Sequence, residues 1–291
     1  MTGKNNPHQA HAKQARMLLG WGAKYKSIDG DVALFPEYNN ESIGQRFFVR
    51  TTFAFLLAGG TIAFLAALTA IKMGKVADVY VQTLSVVVCY IAAYHYYEIA
   101  KVRMSEVSVK TEFHADALRY GDWAVTMPFL TLKLYAVINI SATAYDSIFA
   151  NAEIAAVASV LMIVLGSFVR LGLDELSGWR RLSATARIIG MCCWALSCVC
   201  LLLLLIDIGR AAATHKDHYL LLSFLFVWVG YPIVAFVSSV WRHLDEADTP
   251  YDRRLSIVKD AAFSCLDIYA KGVFAIYSSS TVFGVAFFET R

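Results

Sequence analysis

The chain has 291 residues, 58% of them hydrophobic and 17% charged, with a mean hydropathy of +0.52 and a formal net charge of +3. This composition excludes an ordinary soluble domain and describes a multi-pass protein whose first partner is a lipid bilayer. The small net charge gives no reason to expect nucleic acid as a partner.

Residues 1–45 read as a polar N-terminal extension carrying His8, His11, Lys13, Arg16, Lys24 and Lys26, without the apolar core of a signal peptide. From there to residue 286 the sequence predicts one all-α membrane domain, a bundle of seven transmembrane helices. Seven apolar segments are long enough to cross about 30 Å of hydrocarbon. They fall near 46–72, 77–102, 115–139, 150–173, 185–208, 217–242 and 257–285. The link at 103–114 alternates in Glu106-Val-Ser-Val-Lys-Thr-Glu-Phe113, which predicts a short hairpin on one membrane face. The six cysteines lie inside apolar runs, match no metal spacing and read as small buried hydrophobes.

An odd number of spans places the termini on opposite sides of the membrane. The connections on the N-terminal face carry Arg46, Arg50, Lys101, Arg103, Lys110, Arg180, Arg181, Arg242, Arg253 and Arg254. The other face has Lys72, Lys75, Arg210, Lys216 and Arg291. Taken alone, this bias predicts a cytoplasmic N-terminus.

Charges inside the apolar segments carry the chemistry. The third segment contains Arg119, Asp122, Thr126 and Lys133, spaced 3, 4 and 7 residues apart, which makes one stripe at helical period. Asp122 and Lys133 are separated by roughly 16 Å along a helix axis at nearly the same azimuth, about half the hydrocarbon thickness. A stripe of ionisable groups through a bilayer has the form of a proton relay. The last segment holds Lys271 with Asp267 four residues before it, on one helix face. An ammonium at mid-bilayer costs several kcal/mol unless it is paired with a carboxylate or converted to a Schiff base. The second segment adds His95 in Ala92-Ala-Tyr-His-Tyr-Tyr-Glu98.

Arg119-Tyr-Gly-Asp-Trp-Ala-Val-Thr-Met-Pro128, Trp228-Val-Gly-Tyr231-Pro232 and Asp267-x-x-x-Lys271 fall in the third, sixth and seventh helices. Together they resemble the microbial (type 1) rhodopsins, and the likeness covers nearly all of residues 45–288. It implies a non-enzymatic protein of the cell membrane with all-trans retinal in its core, joined to Lys271 as a protonated Schiff base. Asp122 is then the primary counterion and proton acceptor, Asp267 the second counterion, and Arg119 lies towards the release side. Tyr120, Trp123, Met127, Leu130, Trp228, Tyr231 and Pro232 would wall the polyene, with Met162 and Gly166 at its ring end. Leucine at 130 implies absorption in the green. The acidic release pair of archaeal pumps is not apparent near Lys259 and Asp260.

The histidine stretch resembles the proteorhodopsins, which implies that His95 hydrogen-bonds Asp122. Thr126 is placed to bond the same carboxylate. Lys133 stands where outward pumps usually carry a carboxylic acid, and it resembles the Exiguobacterium-type subgroup. In apolar surroundings a lysine can sit neutral and return a proton to the Schiff base. Gly190 resembles the small residue that admits a carotenoid antenna in some relatives, and a homo-oligomer, pentamer or trimer, is the family's habit. Most relatives hold the N-terminus outside, against the loop charges. With that orientation the sequence predicts an outward, light-driven proton pump. A sensory photoreceptor, a light-gated channel or inward transport are the alternatives.

Overall fold

The computed structural model describes residues 36–104, 109–138, 148–149, 151–169, 183–213, 218–244 and 253–284. These form α1 (Pro36–Lys72), α2 (Val76–Met104), α3 (Val109–Ile138), α4 (Ala152–Ser167), α5 (Ala184–Ala213), α6 (His218–Leu244), α7 (Arg253–Asp267), a π-helical turn (Ile268–Val273) and α8 (Phe274–Phe283). The last three run on as a single rod, so the described residues make seven rods and no strand. Each rod packs beside the next in sequence, and α1 closes the ring against α7, the π turn and α8.

Four of the rods are long and apolar enough to cross a membrane on composition alone. α3 is not among them because Asp116, Arg119, Asp122 and Lys133 interrupt it, and all four are buried inside the bundle. The exposed surface carries Phe64, Leu65, Leu68, Met191, Phe226 and Phe236 instead. Apolar outside and charged within is the distribution expected where lipid is the solvent.

Two details depart from the sequence reading. α1 begins at Pro36, ten residues before the first apolar span. Val109–Phe113, expected as a strand of a hairpin, is the first turn of α3, while residues 105–108 lie outside those described. Neither short alternation nor polarity outweighs continuation of a long rod at the membrane edge. Residues 1–35 and the 245–252 connection also lie outside. The cysteines divide: Cys89 and Cys200 are buried, whereas Cys192 and Cys265 face outward.

Glycine permits the closest crossing. A Cβ on Gly272 would sit 2.6 Å from the Phe55 ring, and one on Gly59 would meet the Gly272 Cα at 3.4 Å. The π turn that carries Lys271 therefore presses directly on α1, as small residues allow between membrane helices. Gly74, at φ 69°, caps α1 in the left-handed region while Lys75 N–H donates to the Ala70 carbonyl at 3.0 Å.

Candidate functional site

Lys271 is 1% exposed and lies in the π turn. Its Nζ donates to Asp122 Oδ2 and lies 3.1 Å from Asp267 Oδ1. Asp267 is held from both sides: Tyr96 OH donates to Oδ2 at 2.7 Å and Tyr231 OH donates to Oδ1 at 2.7 Å. Asp122 differs, because its Oδ1 is buried with no hydrogen-bond partner among the described residues. One carboxylate is thus fully engaged, and the other has an oxygen to spare.

His95 and Thr126 lie beside Asp122 but bond elsewhere. His95 Nδ1 is 3.9 Å from Asp122 Oδ1, beyond hydrogen-bond reach, and meets the Ile91 carbonyl oxygen at 2.9 Å. Gly121 faces the imidazole, and a Cβ there would make an ordinary contact with Nε2 at 3.9 Å. Thr126 Oγ1 donates to the backbone carbonyl of Asp122 at 2.9 Å rather than to its carboxylate.

Arg119 points away from the lysine. Its guanidinium donates to Asp116 Oδ1 at 3.2 Å and to Asp260 Oδ1. Asp116 also takes Lys259 Nζ on both oxygens, at 2.8 and 2.7 Å. Asp260 also takes Arg103, at 3.1 Å through Nη2. The result is a buried lattice of Arg103, Asp116, Arg119, Lys259 and Asp260 joining α2, α3 and α7. Arg103, read in the sequence as a loop charge, belongs to it. Breaking a buried pair by removing one partner costs roughly 3–5 kcal/mol. Asp260→Ala, which strips two guanidiniums of a shared partner, should therefore lower the unfolding midpoint in a detergent titration clearly. An unchanged midpoint would mean that the lattice does not bear on stability.

On the opposite side of Lys271, Lys133 is 1% exposed. Its Nζ donates to the Phe274 carbonyl at 3.1 Å and sits 3.9 Å from the Phe274 ring centroid. It does not snorkel to the surface. A further buried acid, Asp207 on α5, accepts from the Tyr135 hydroxyl and, at 2.7 Å, from Ile148 N–H. It pins α3 and the following connection to α5. Nothing in its sequence context distinguishes it from a lone polar residue in an apolar run.

Trp123, Met127, Leu130, Met162 and Trp228 are buried in one apolar cluster, with Tyr120 and Tyr231 packed on its edge. Trp123 stands edge-on to both tyrosines at 5.1 Å. Pro232 interrupts α6 one turn after Trp228, whose carbonyl it cannot bond. Gly166 on α4 lies where a Cβ would approach Ser197 Oγ at 3.5 Å and Tyr120 at 4.0 Å. Gly190 is buried on α5 between outward-facing Ile189 and Met191.

A ring of seven membrane rods enclosing a lysine between two carboxylates defines a class of membrane protein with a buried, charged core. The residues of the chain from 45 to 284 match the bacteriorhodopsin-like protein family, and the chain belongs to it. Its fold is similar to that of the rhodopsin of Exiguobacterium sibiricum, at 17% identity and a TM-score of 0.56 over 82% of this chain and 97% of that one. It is similar also to a thermophilic rhodopsin, at 22% and 0.61 over 84% and 94%. Xanthorhodopsin, a light-driven ion pump with a dual chromophore, matches at 19% and 0.60 over 84% and 93%. No curated protein sequence matches the chain. The family implies a retinal chromophore. The residues present fit one: a buried amine, a paired counter-charge and an adjoining cluster of flat aromatic and aliphatic side chains.

Proposed function

We propose that this protein is a light-driven proton pump working through Lys271, Asp122 and Lys133. The observation that carries the reading is the placement of Asp122 and Lys133 on one helix, both buried, with Asp122 in contact with Lys271. Retinal bound to Lys271 would supply light absorption and a change of shape that re-aims the Lys271 nitrogen. Asp122 Oδ2 already accepts from that nitrogen, and Asp122 takes its proton. Asp267, fixed by two tyrosine hydroxyls, stays as the standing counter-charge. Lys133, desolvated against Phe274, returns a proton to the Lys271 nitrogen from the other side. Arg119 and its lattice stand between Asp122 and the exit face. With the N-terminus outside, transport is outward. The fold shared with a light-driven ion pump supports the reading.

Illuminated cells expressing the protein should acidify the medium, and an uncoupler should abolish the signal. A sensor would give no such signal. The return step is tested by flash photolysis of Lys133→Ala. Losing a positioned proton donor costs about 10²-fold or more in rate. The return of the proton to Lys271 should slow by that order and become strongly pH-dependent, because bulk water must then supply it. Lys133→Asp should recover part of the rate. Equal rates in Lys133→Ala and the unaltered protein would remove Lys133 from the path.

A further inference from the structure

We propose that protons reach Lys133 along the seam between α2 and α8, through an inlet lined by Gln82, Ser85, Ser278 and Ser279. The proposal rests on the pump reading of Lys133 and deepens it.

Lys133 is sealed from the surface, so a donor there must itself be refilled. The α3 side of its bundle end is apolar around Leu134 and Ile138, and the Asp207–Tyr135 pair faces α5. The α2–α8 seam is different. Ser279 Oγ donates to Gln82 Oε1 at 2.9 Å, and Gln82 Nε2 donates to the Ser278 carbonyl at 2.7 Å. Ser85 Oγ and Ser278 Oγ lie 3.4 Å apart. All four residues are 3% exposed or less, so this is a polar thread inside the bundle rather than a solvated face.

The thread runs in the right direction. Ser278 and Ser279 are four and five residues past Phe274, whose carbonyl holds Lys133, or roughly 6–7.5 Å further along the rod. On α2, Asp78, Gln82, Ser85 and Cys89 are spaced 4, 3 and 4 and so share a stripe. Its outer end is Asp78, a half-buried carboxylate in the first turn of α2, 4.0 Å from Lys75 Nζ. Its inner end is Cys89, whose thiol lies 3.7 Å from the Lys271 carbonyl oxygen.

Serine hydroxyls can accept one proton and release another, so a chain of them with water between passes charge without being consumed. The step moves one proton from bulk to the neutral Lys133 amine and breaks no other bond. Gln82 does not ionise. It is a positioning residue, tying the Ser279 hydroxyl and the Ser278 carbonyl on the last rod to α2.

Two variants test this, Gln82→Leu and the milder Ser279→Ala. In each, the refilling of Lys133 after a flash should slow by roughly tenfold or more. The rate should fall with rising pH, and azide, a small permeant weak acid, should restore it. The first transfer to Asp122 and the absorption maximum should not change. In the dark, exchange of the Lys133 Nζ protons with deuterated water, followed by 15N NMR, should slow in parallel. Wild-type rates of both refilling and exchange in the two variants would overturn the inlet. So would a slow refilling that azide does not restore, which is the signature of a packing defect. If the unaltered protein binds retinal but never moves a proton off Lys271, the pump reading falls, while the exchange measurement still judges the seam.

Discussion

Replacing Lys271 with alanine is expected to give a protein that stays colourless when supplied with retinal. Lys271 is the amine at the centre of the bundle, adjoining the cluster of Trp123, Met127, Leu130, Met162 and Trp228. The buried amines on either side are engaged elsewhere, Lys133 with the Phe274 carbonyl and Lys259 with Asp116. Alanine also leaves Asp122 and Asp267 buried without their shared cation. Removing one partner of a buried ion pair costs roughly 3–5 kcal/mol, so stability should drop along with colour. The measurement is a visible spectrum of purified protein after incubation with retinal. Visible absorbance persisting without added amine would transfer the attachment to another residue and remove the basis of the site.

Asp122→Asn is expected to shift the pigment to longer wavelength at every pH and to stop light-driven acidification. A carboxylate in contact with the Lys271 nitrogen stabilises positive charge there in the dark state. Taking the negative charge away narrows the gap to the excited state. Acid should do the same to the unaltered protein by protonating Asp122, so the variant should lack that transition. Loss of the acceptor should slow the first transfer by at least about 10²-fold. The groups that set the transition surround Asp122 from three rods: Lys271 and Asp267 on the last, His95 on α2, and Arg119 one turn away on α3. At 3.9 Å, His95 is beyond hydrogen-bond reach of Asp122 but packs beside its carboxylate, so His95→Ala should move the midpoint of the colour titration. A titration with no colour change in the unaltered protein would show that Asp122 does not serve as the counter-charge.

Lys271, Asp267, Asp122 and Lys133 were legible in the sequence because a charge inside an apolar run is too costly to stand there without a task. The seven rods were legible for the complementary reason, that their uncharged stretches match the hydrocarbon thickness. What spacing could not convey is which partner a long side chain selects. Arg119 is one turn from Asp122, yet its guanidinium reaches down to Asp116 and Asp260. Asp116, Lys259, Asp260 and Arg103 lie near the ends of spans, where polar residues normally meet water. Only the convergence of α2, α3 and α7 shows them to be buried together. The rung formed by Gln82 and Ser279 escaped for a similar reason: 197 residues separate them, and neither is charged.

Among the described residues, the lattice around Arg119 holds three cations against two carboxylates, and the layer around Lys271 holds two carboxylates against one cation. By the ion pairs named, these two groups form a formally positive layer and a formally negative one. An external cation trying to climb in from the Arg119 end meets the repulsive layer first, in surroundings where little water screens it. Each 100 mV of opposing membrane potential pushes on such a cation with about 2.3 kcal/mol, and the positive layer resists that push without moving. On the pump reading, this order of layers opposes the return of a cation from the Arg119 end.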